Sequence, residues 1–269
     1  MDRYAVLGHP IAHSLSPRIH GLFAAQTGAA LSYVAIDSEA AALAETLARL
    51  HTEGYAGVNL TLPLKVHAVA LCSELSARAQ AAGSVNTLIR HESGWLGDNT
   101  DGAGLLRDLQ HNLGCKLAGQ RVLLLGAGGA ARGVLQPLLD AQPAELTIAG
   151  RTPWKPEDLA AEFKDRGALR PCTFLALKGD RYDLLINATS AGHSGATPPL
   201  PPGIYASGGR AYDLSYGRAA EPFLARAREL GAVQVFDGLG MLVEQAAEAF
   251  SLWRGLRPET ASVLAALRS

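Results

Sequence analysis

An apolar run, Arg121-Val122-Leu123-Leu124-Leu125, leads directly into Gly126-Ala127-Gly128-Gly129-Ala130-Ala131, and a helix-favouring stretch follows from Ala130 to Asp140. A strand that turns on glycine straight into a helix leaves few folds open to a chain. Gly126 permits the tight turn, Gly128 lets backbone approach a pyrophosphate, and the small Ala131 allows the helix to pack closely on the strand. The helix N-terminus offers unpaired N–H groups and the positive end of its dipole to that phosphate. The G-x-G-x-x-A spacing therefore predicts an α/β nucleotide-binding domain, with cofactor contacts at Gly126, Ala127, Gly128, Gly129 and Ala130. Any strand–turn–helix junction can use glycines, so the loop alone is a weak signal.

The next strand, Leu146 to Ala149, bears on which nucleotide is bound. NAD sites usually end this strand on Asp or Glu, which accepts from the ribose 2′-OH. Here it ends Ala149-Gly150-Arg151-Thr152-Pro153-Trp154-Lys155, with no carboxylate. Arg151 can fork onto a 2′-phosphate and Lys155 adds charge, which predicts NADP rather than NAD; the alternative is a solvated basic loop.

Strands are also predicted at Asp183–Asn187, Ala211–Leu214 and Val233–Phe236, in series with this pair. Before it, strands at Tyr4–Leu7, Leu31–Ile36, Gly57–Leu60 and Ser84–Arg90 alternate with helices at Pro17–Thr27, Glu39–His51 and Pro63–Leu71. Ser16 is expected to cap the first of these helices, and Lys65 to lie in the first turn of the third. A further helix is expected from Asp101 to Leu113. Strands separated by helices imply βαβ units and mostly parallel sheets, here two, with a hinge near residues 100–115. Two helices, Leu239–Trp253 and Glu259–Leu267, close the chain.

The balance of 24 basic and 25 acidic residues, for a net charge of −1, gives no electrostatic case for nucleic-acid binding. With 48% hydrophobic residues the 269-residue chain has ample material for a core, yet no apolar stretch is long enough for a membrane span. The first eight residues are too short, and broken too soon by Gly8-His9-Pro10, to be a signal peptide. Three cysteines far apart, Cys72, Cys115 and Cys172, and eight scattered histidines predict no metal site. The sparse thiols fit a reduced, cytoplasmic setting.

Polar side chains concentrate in the first hundred residues. Ser14 and Ser16 flank a helix start, Asn59 and Thr61 lie at a strand end, and Lys65 follows them. Asn86-Thr87 ends another segment, and Asp101 opens a helix whose dipole suits its charge. Singly, Ser16 and Asp101 read as plain caps and Asn86 as a turn residue. Together, hydroxyls, amides, one lysine and one aspartate describe a pocket for a small polyhydroxylated molecule.

Nine segments carry a resemblance: HSLSP (13–17), GVNLTLPLK (57–65), AGSVNTL (82–88), GDNTDGAG (97–104), GAGGAAR (126–132), GRT (150–152), NATSAG (187–192), YDLSY (212–216) and DGLGMLVEQAAEAF (237–250). In this order, across nearly the whole chain, they resemble the shikimate dehydrogenase family. The resemblance implies a mostly parallel α/β substrate domain over residues 1–100, a Rossmann NADP-binding domain over 101–237, and C-terminal helices, 238–269, returning to the substrate domain. It implies NADPH-dependent reduction of 3-dehydroshikimate to shikimate, by a monomer or homodimer. By matching positions, Ser14 and Ser16 would contact the substrate carboxylate. Asn59, Thr61, Asn86 and Gln245 would hold ring hydroxyls or carboxylate, and Tyr216 would close over the site. Lys65 and Asp101 would be the catalytic pair, with an ammonium beside a carboxylate donating the proton. Arg151, Thr152 and Lys155 would join the glycine loop in binding NADP, and Thr189, Ser190, Leu214, Gly238 and Met241 would line the cofactor. Three positions depart from the family pattern: Gly150 replaces a frequent Asn, Lys155 a frequent Arg, and Ala77 an acidic residue. A broader quinate/shikimate dehydrogenase is the near alternative, and a non-catalytic nucleotide-binding sensor the distant one.

Overall fold

The computed structural model describes residues 1–269, which divide into two compact units: Met1–Gly104 with Leu242–Ser269, and Leu105–Met241. In chain order the first unit begins with strand β1 (Asp2–Gly8), helix α1 (Ser16–Thr27), β2 (Leu31–Asp37), α2 (Leu43–Thr52) and β3 (Gly57–Leu60). There follow β4 (Glu74–Leu75), α3 (Ala77–Ala82), β5 (Thr87–His91), β6 (Gly94–Asp98) and α4 (Asp101–Arg107). The second unit holds β7 (Arg121–Leu125), α5 (Gly129–Asp140), β8 (Glu145–Gly150), α6 (Trp154–Glu162), β9 (Leu169–Thr173) and β10 (Tyr182–Asn187). It continues through β11 (Tyr205–Asp213), α7 (Glu221–Glu229) and β12 (Gln234–Phe236). Helices α8 (Leu239–Arg254) and α9 (Ala261–Arg268) end the chain.

The second unit is an all-parallel sheet in the order β12-β11-β10-β7-β8-β9. Counted from β7, that is strand order 3-2-1-4-5-6, the doubly wound dinucleotide-binding arrangement. Its central strands are apolar on both faces, as parallel strands covered by helices must be. One face packs Val122, Leu124 and Ile186 under α5, and the other packs Leu123, Leu125 and Leu185 against Tyr205 and Phe223.

The first unit's sheet has the order β2-β1-β3-β5-β6-β4, in which β5 runs antiparallel to both neighbours. The strand expected over Ser84–Arg90 is therefore shorter, and it returns as β6. Gly94 takes φ +137° at this turn, a conformation that favours glycine. The helix expected over Pro63–Leu71 is also different: residues 62–66 form turns, and a 3₁₀ helix covers His67–Leu71. Val85 N–H takes the Lys65 carbonyl at 2.8 Å, so Lys65 sits in a tied loop and meets no helix dipole. Ser16 is the first residue of α1 rather than its cap; Leu15 holds the capping position and makes no side-chain cap bond.

Leu242–Ser269 belongs to the first unit, where Val243, Ala246, Ala247 and Phe250 of α8 pack on Ile19 and Phe23 of α1 and Val263 of α9. Ion pairs reinforce the joint. Arg78 bonds Asp98 at 2.6 Å and Glu248 at 3.0 Å, and Arg257 bonds Glu248 at 2.6 Å and the buried Glu244 at 2.8 Å.

Candidate active site

Three strand ends bring the polar residues of the first unit together. Register places Asn59 of β3 opposite Thr87 of β5, and Thr87 opposite Asp98 of β6. Asp98 is fixed by the Ser76 hydroxyl at 2.6 Å, by Arg78, and by the N–H of Asn99 at 2.7 Å. These donors hold its carboxyl below the usual carboxylate range against the upward push of burial. Asn99 donates to the Ser84 carbonyl and hydroxyl, both at 2.9 Å, and accepts the Asp101 N–H at 3.1 Å. The buried Asp101 side chain is thereby set at the start of α4, where its charge suits the dipole.

Lys65 Nζ donates to Asp101 Oδ2 at 2.6 Å, and Asn86 Nδ2 donates to Asp101 Oδ1 at 2.8 Å. Asn86 Nδ2 also meets Thr100 Oγ1 at 2.9 Å and Gln245 Oε1 at 3.3 Å, while Asn86 Oδ1 accepts from Thr87 Oγ1 and Thr100 N–H, each at 2.8 Å. Every polar atom of the Asn86 side chain is engaged within the chain, so its part in the site runs through Asp101 and Gln245. Asn59 donates to Thr87 Oγ1 at 3.1 Å and accepts from the Tyr33 hydroxyl at 2.7 Å. The Ser14 hydroxyl accepts the Ser16 N–H at 3.3 Å. Thr61 is seated over Gly8, where an added Cβ would come within 2.4 Å of its methyl group. Lys65, Asp101, Asn59, Asn86 and Gln245 thus form one bonded group with Tyr33, Thr87 and Thr100. Tyr33 has no motif to announce it; it reaches Asn59 across β1, a proximity that sequence spacing does not encode.

In the second unit the glycine loop has the geometry a phosphate needs. Gly126 takes φ +107°, and an added Cβ would stand 3.1 Å from the Ala188 carbonyl. A Cβ at Gly128 would meet nothing within 4 Å, which leaves its backbone open to close approach. Gly128 caps α5, whose first residues are Gly129 and Ala130. β8 ends at Gly150, and Arg151 and Lys155 follow as exposed cations with Thr152 half-buried between them. At Gly150 an added Cβ would press to 2.8 Å from the Pro156 ring, so the missing side chain at 150 goes with the proline at 156. These donors and the absence of a carboxylate suit a 2′-phosphorylated dinucleotide.

The neighbouring strand ends are closed by polar bonds. Asn187 of β10 donates to Asp213 of β11 at 2.8 Å and accepts from the Thr189 N–H and hydroxyl at 3.1 and 2.7 Å. Burial pushes the Asp213 carboxyl up to about 6. Ser190, exposed, and Leu214 and Tyr216, half-buried, lie just beyond these strands. Gly238 packs on the Leu214 carbonyl, which an added Cβ would meet at 2.3 Å. The Met241 N–H donates to the Tyr212 hydroxyl at 3.3 Å, and that hydroxyl donates to Asp108 at 2.6 Å.

The sequence matches three family models: the shikimate dehydrogenase substrate binding domain over residues 6–88, shikimate / quinate 5-dehydrogenase over 108–196, and the shikimate 5'-dehydrogenase C-terminal domain over 238–268. A shikimate dehydrogenase (NADP(+)) of Aromatoleum aromaticum is 55% identical over 271 residues, covering 100% of this chain and 97% of that protein. Among solved structures, an Ael1 enzyme from Pseudomonas putida superposes with a TM-score of 0.92 at 46% identity, covering 99% of this chain and 98% of that one. Shikimate 5-dehydrogenase from Thermus thermophilus, solved with NADP(H) and shikimate, gives a TM-score of 0.86 at 39% identity, covering 100% of this chain and 99% of that one.

Proposed function

The chain belongs to the shikimate dehydrogenase family, and from that premise we propose that it reduces 3-dehydroshikimate to shikimate with NADPH, reversibly, as a step of the shikimate pathway. When bound, NADPH supplies the hydride. Residues 126–130 with Arg151, Thr152 and Lys155 would hold its phosphates, and Thr189, Ser190, Leu214, Gly238 and Met241 its remaining length. Three free cysteines support a cytoplasmic location.

The observation that carries the chemistry is the Lys65–Asp101 pair at 2.6 Å. Reduction of a ketone leaves an alkoxide that must take up a proton. The Lys65 ammonium donates that proton and meets the growing negative charge. Asp101, itself held by Asn86 and the Asn99 side chain, keeps the ammonium aimed. Oxidation of shikimate runs the same transfer backward. Ser14 and Ser16 serve the substrate carboxylate; Asn59, Thr61 and Gln245 serve ring oxygens, and Asn86 fixes the last of these.

Absorbance at 340 nm, with purified protein, shikimate and either NADP or NAD, tests the reading. NADPH should form with shikimate, and Lys65→Ala or Asp101→Asn should lower kcat by about a thousandfold while NADP still binds. Turnover only with quinate or NAD would move the chain to the broader dehydrogenases. NADP binding without turnover of any substrate would leave the sensor reading.

A further inference from the structure

His20 lies on α1, one turn beyond Ser16, and is 1% exposed. Its ring stacks on the Tyr33 phenol with centroids 4.1 Å apart and planes inclined by 6°. Phe23 meets it edge-on at 5.9 Å, and Trp253 lies 5.4 Å away. Neither ring nitrogen has a hydrogen-bond partner. A neutral imidazole always carries one N–H, and burying a donor unmet is unfavourable. A phenyl ring would fill the same aromatic cage without that cost, so packing alone does not account for a histidine here.

What the ring touches does account for it. The Tyr33 hydroxyl donates to Asn59 Oδ1 at 2.7 Å, and Asn59 Nδ2 donates to Thr87 Oγ1 and to the Asn86 carbonyl at 3.1 and 3.2 Å. Asn86 continues to Asp101, and Asp101 to Lys65. The imidazole therefore backs the end of this bonded series farthest from Lys65. The groups it faces there are the Tyr33 phenol and, through its hydroxyl, Asn59. Burial holds the imidazole down to about 3, so the ring stays uncharged beside them.

We propose that His20 is a positioning residue for substrate: its stacked imidazole fixes the Tyr33 phenol against Asn59, and so holds the Asn59 carboxamide in the orientation that presents it to a ring hydroxyl. The proposal rests on the shikimate reading above. It makes His20 a residue retained for binding at the expense of stability.

The test is His20→Phe in the full-length protein. Its melting temperature should equal or exceed that of the wild type, since an unmet polar group has been removed. KM for shikimate should rise about tenfold, while kcat and KM for NADP stay within about twofold. Calorimetric titration of shikimate alone should show the same loss of affinity. Tyr33→Phe, which keeps the stack and deletes the hydroxyl, should raise KM similarly, and the double variant should be no worse than the poorer single one. An unchanged shikimate KM in His20→Phe, or effects that multiply in the double variant, would overturn the proposal. Should His20→Phe fail to fold, Tyr33→Phe decides alone: a raised KM supports the relay and an unchanged one overturns it. Absence of shikimate turnover in the wild type is a separate outcome, and it overturns the functional reading before any variant is made.

Discussion

Asn86 shows how a residue of the proposed site can act without facing a ligand. Its two hydrogens and its oxygen are all engaged by Asp101, Thr100, Thr87 and Gln245, so it fixes the groups on either side of it. Asp213 is similarly enclosed, and its consequence is a pH dependence. The unfolded chain releases this proton near pH ~4, whereas burial raises the folded carboxyl to about 6. Between these values the folded state binds the proton more tightly, so this group's contribution falls as pH rises, by at most ~1.4 kcal/mol per unit. Urea midpoints of wild type and Asp213→Asn, compared from pH 4 to 6, should diverge by that slope; parallel curves would contradict it. Motif spacing was enough to single out Lys65, Asp101, Asn59 and Asn86 as one group, and the family resemblance added Gln245. His20 and Tyr33 stayed hidden because β1 lies between β2 and β3, so their partnership with Asn59 exists only once the sheet has formed.

At the scale of elements, β8 and α6 meet at Gly150, the junction proposed above to hold the cofactor's phosphates. Arg151 stands exposed there with no carboxylate beside it at the strand end. Arg151→Ala should weaken NADP binding by about a hundredfold and leave NAD binding nearly unchanged, since only the former carries the 2′-phosphate. Competition by 2′,5′-ADP against NADPH, followed by fluorescence, measures the difference. The nucleotide-binding sheet was largely legible because parallel strands covered on both faces are continuous apolar runs. Its exception is β9, where Pro171 and Cys172 break the pattern; a proline is tolerated because β9 is an edge strand. The β5–β6 hairpin escaped for another reason: Gly94 and Gly97 make a strand look like a turn. An added Cβ at Gly97 would come within 2.6 Å of the Cys72 sulfur, which is why glycine sits inside that strand.

At the scale of the molecule, the first unit is assembled from both ends of the chain, and half-buried ion pairs hold the ends together. Glu244 is 1% exposed and takes Arg257 at 2.8 Å and the Thr260 hydroxyl at 2.7 Å. Arg257→Ala removes a 2.8 Å ion pair from a buried carboxylate, at a cost of about 3 kcal/mol. Trp95 and Trp253 lie in the first unit and Trp154 in the second, so tryptophan emission follows both. The variant should unfold at lower temperature, with the change dominated by the two tryptophans of the first unit; an unshifted transition would show that the pair is dispensable.

The same arrangement constrains how the protein is born. A ribosome delivers the amino-terminal strands first, then the whole nucleotide-binding unit, and only at the end the helices that cover Ile19 and Phe23. Throughout that interval the nascent amino-terminal segment carries an uncovered apolar face, a natural landing place for a chaperone. A premature stop codon shortly after Met241 would release a chain whose nucleotide-binding unit is whole and whose paired Lys65 and Asp101 sit in a unit that cannot close its core.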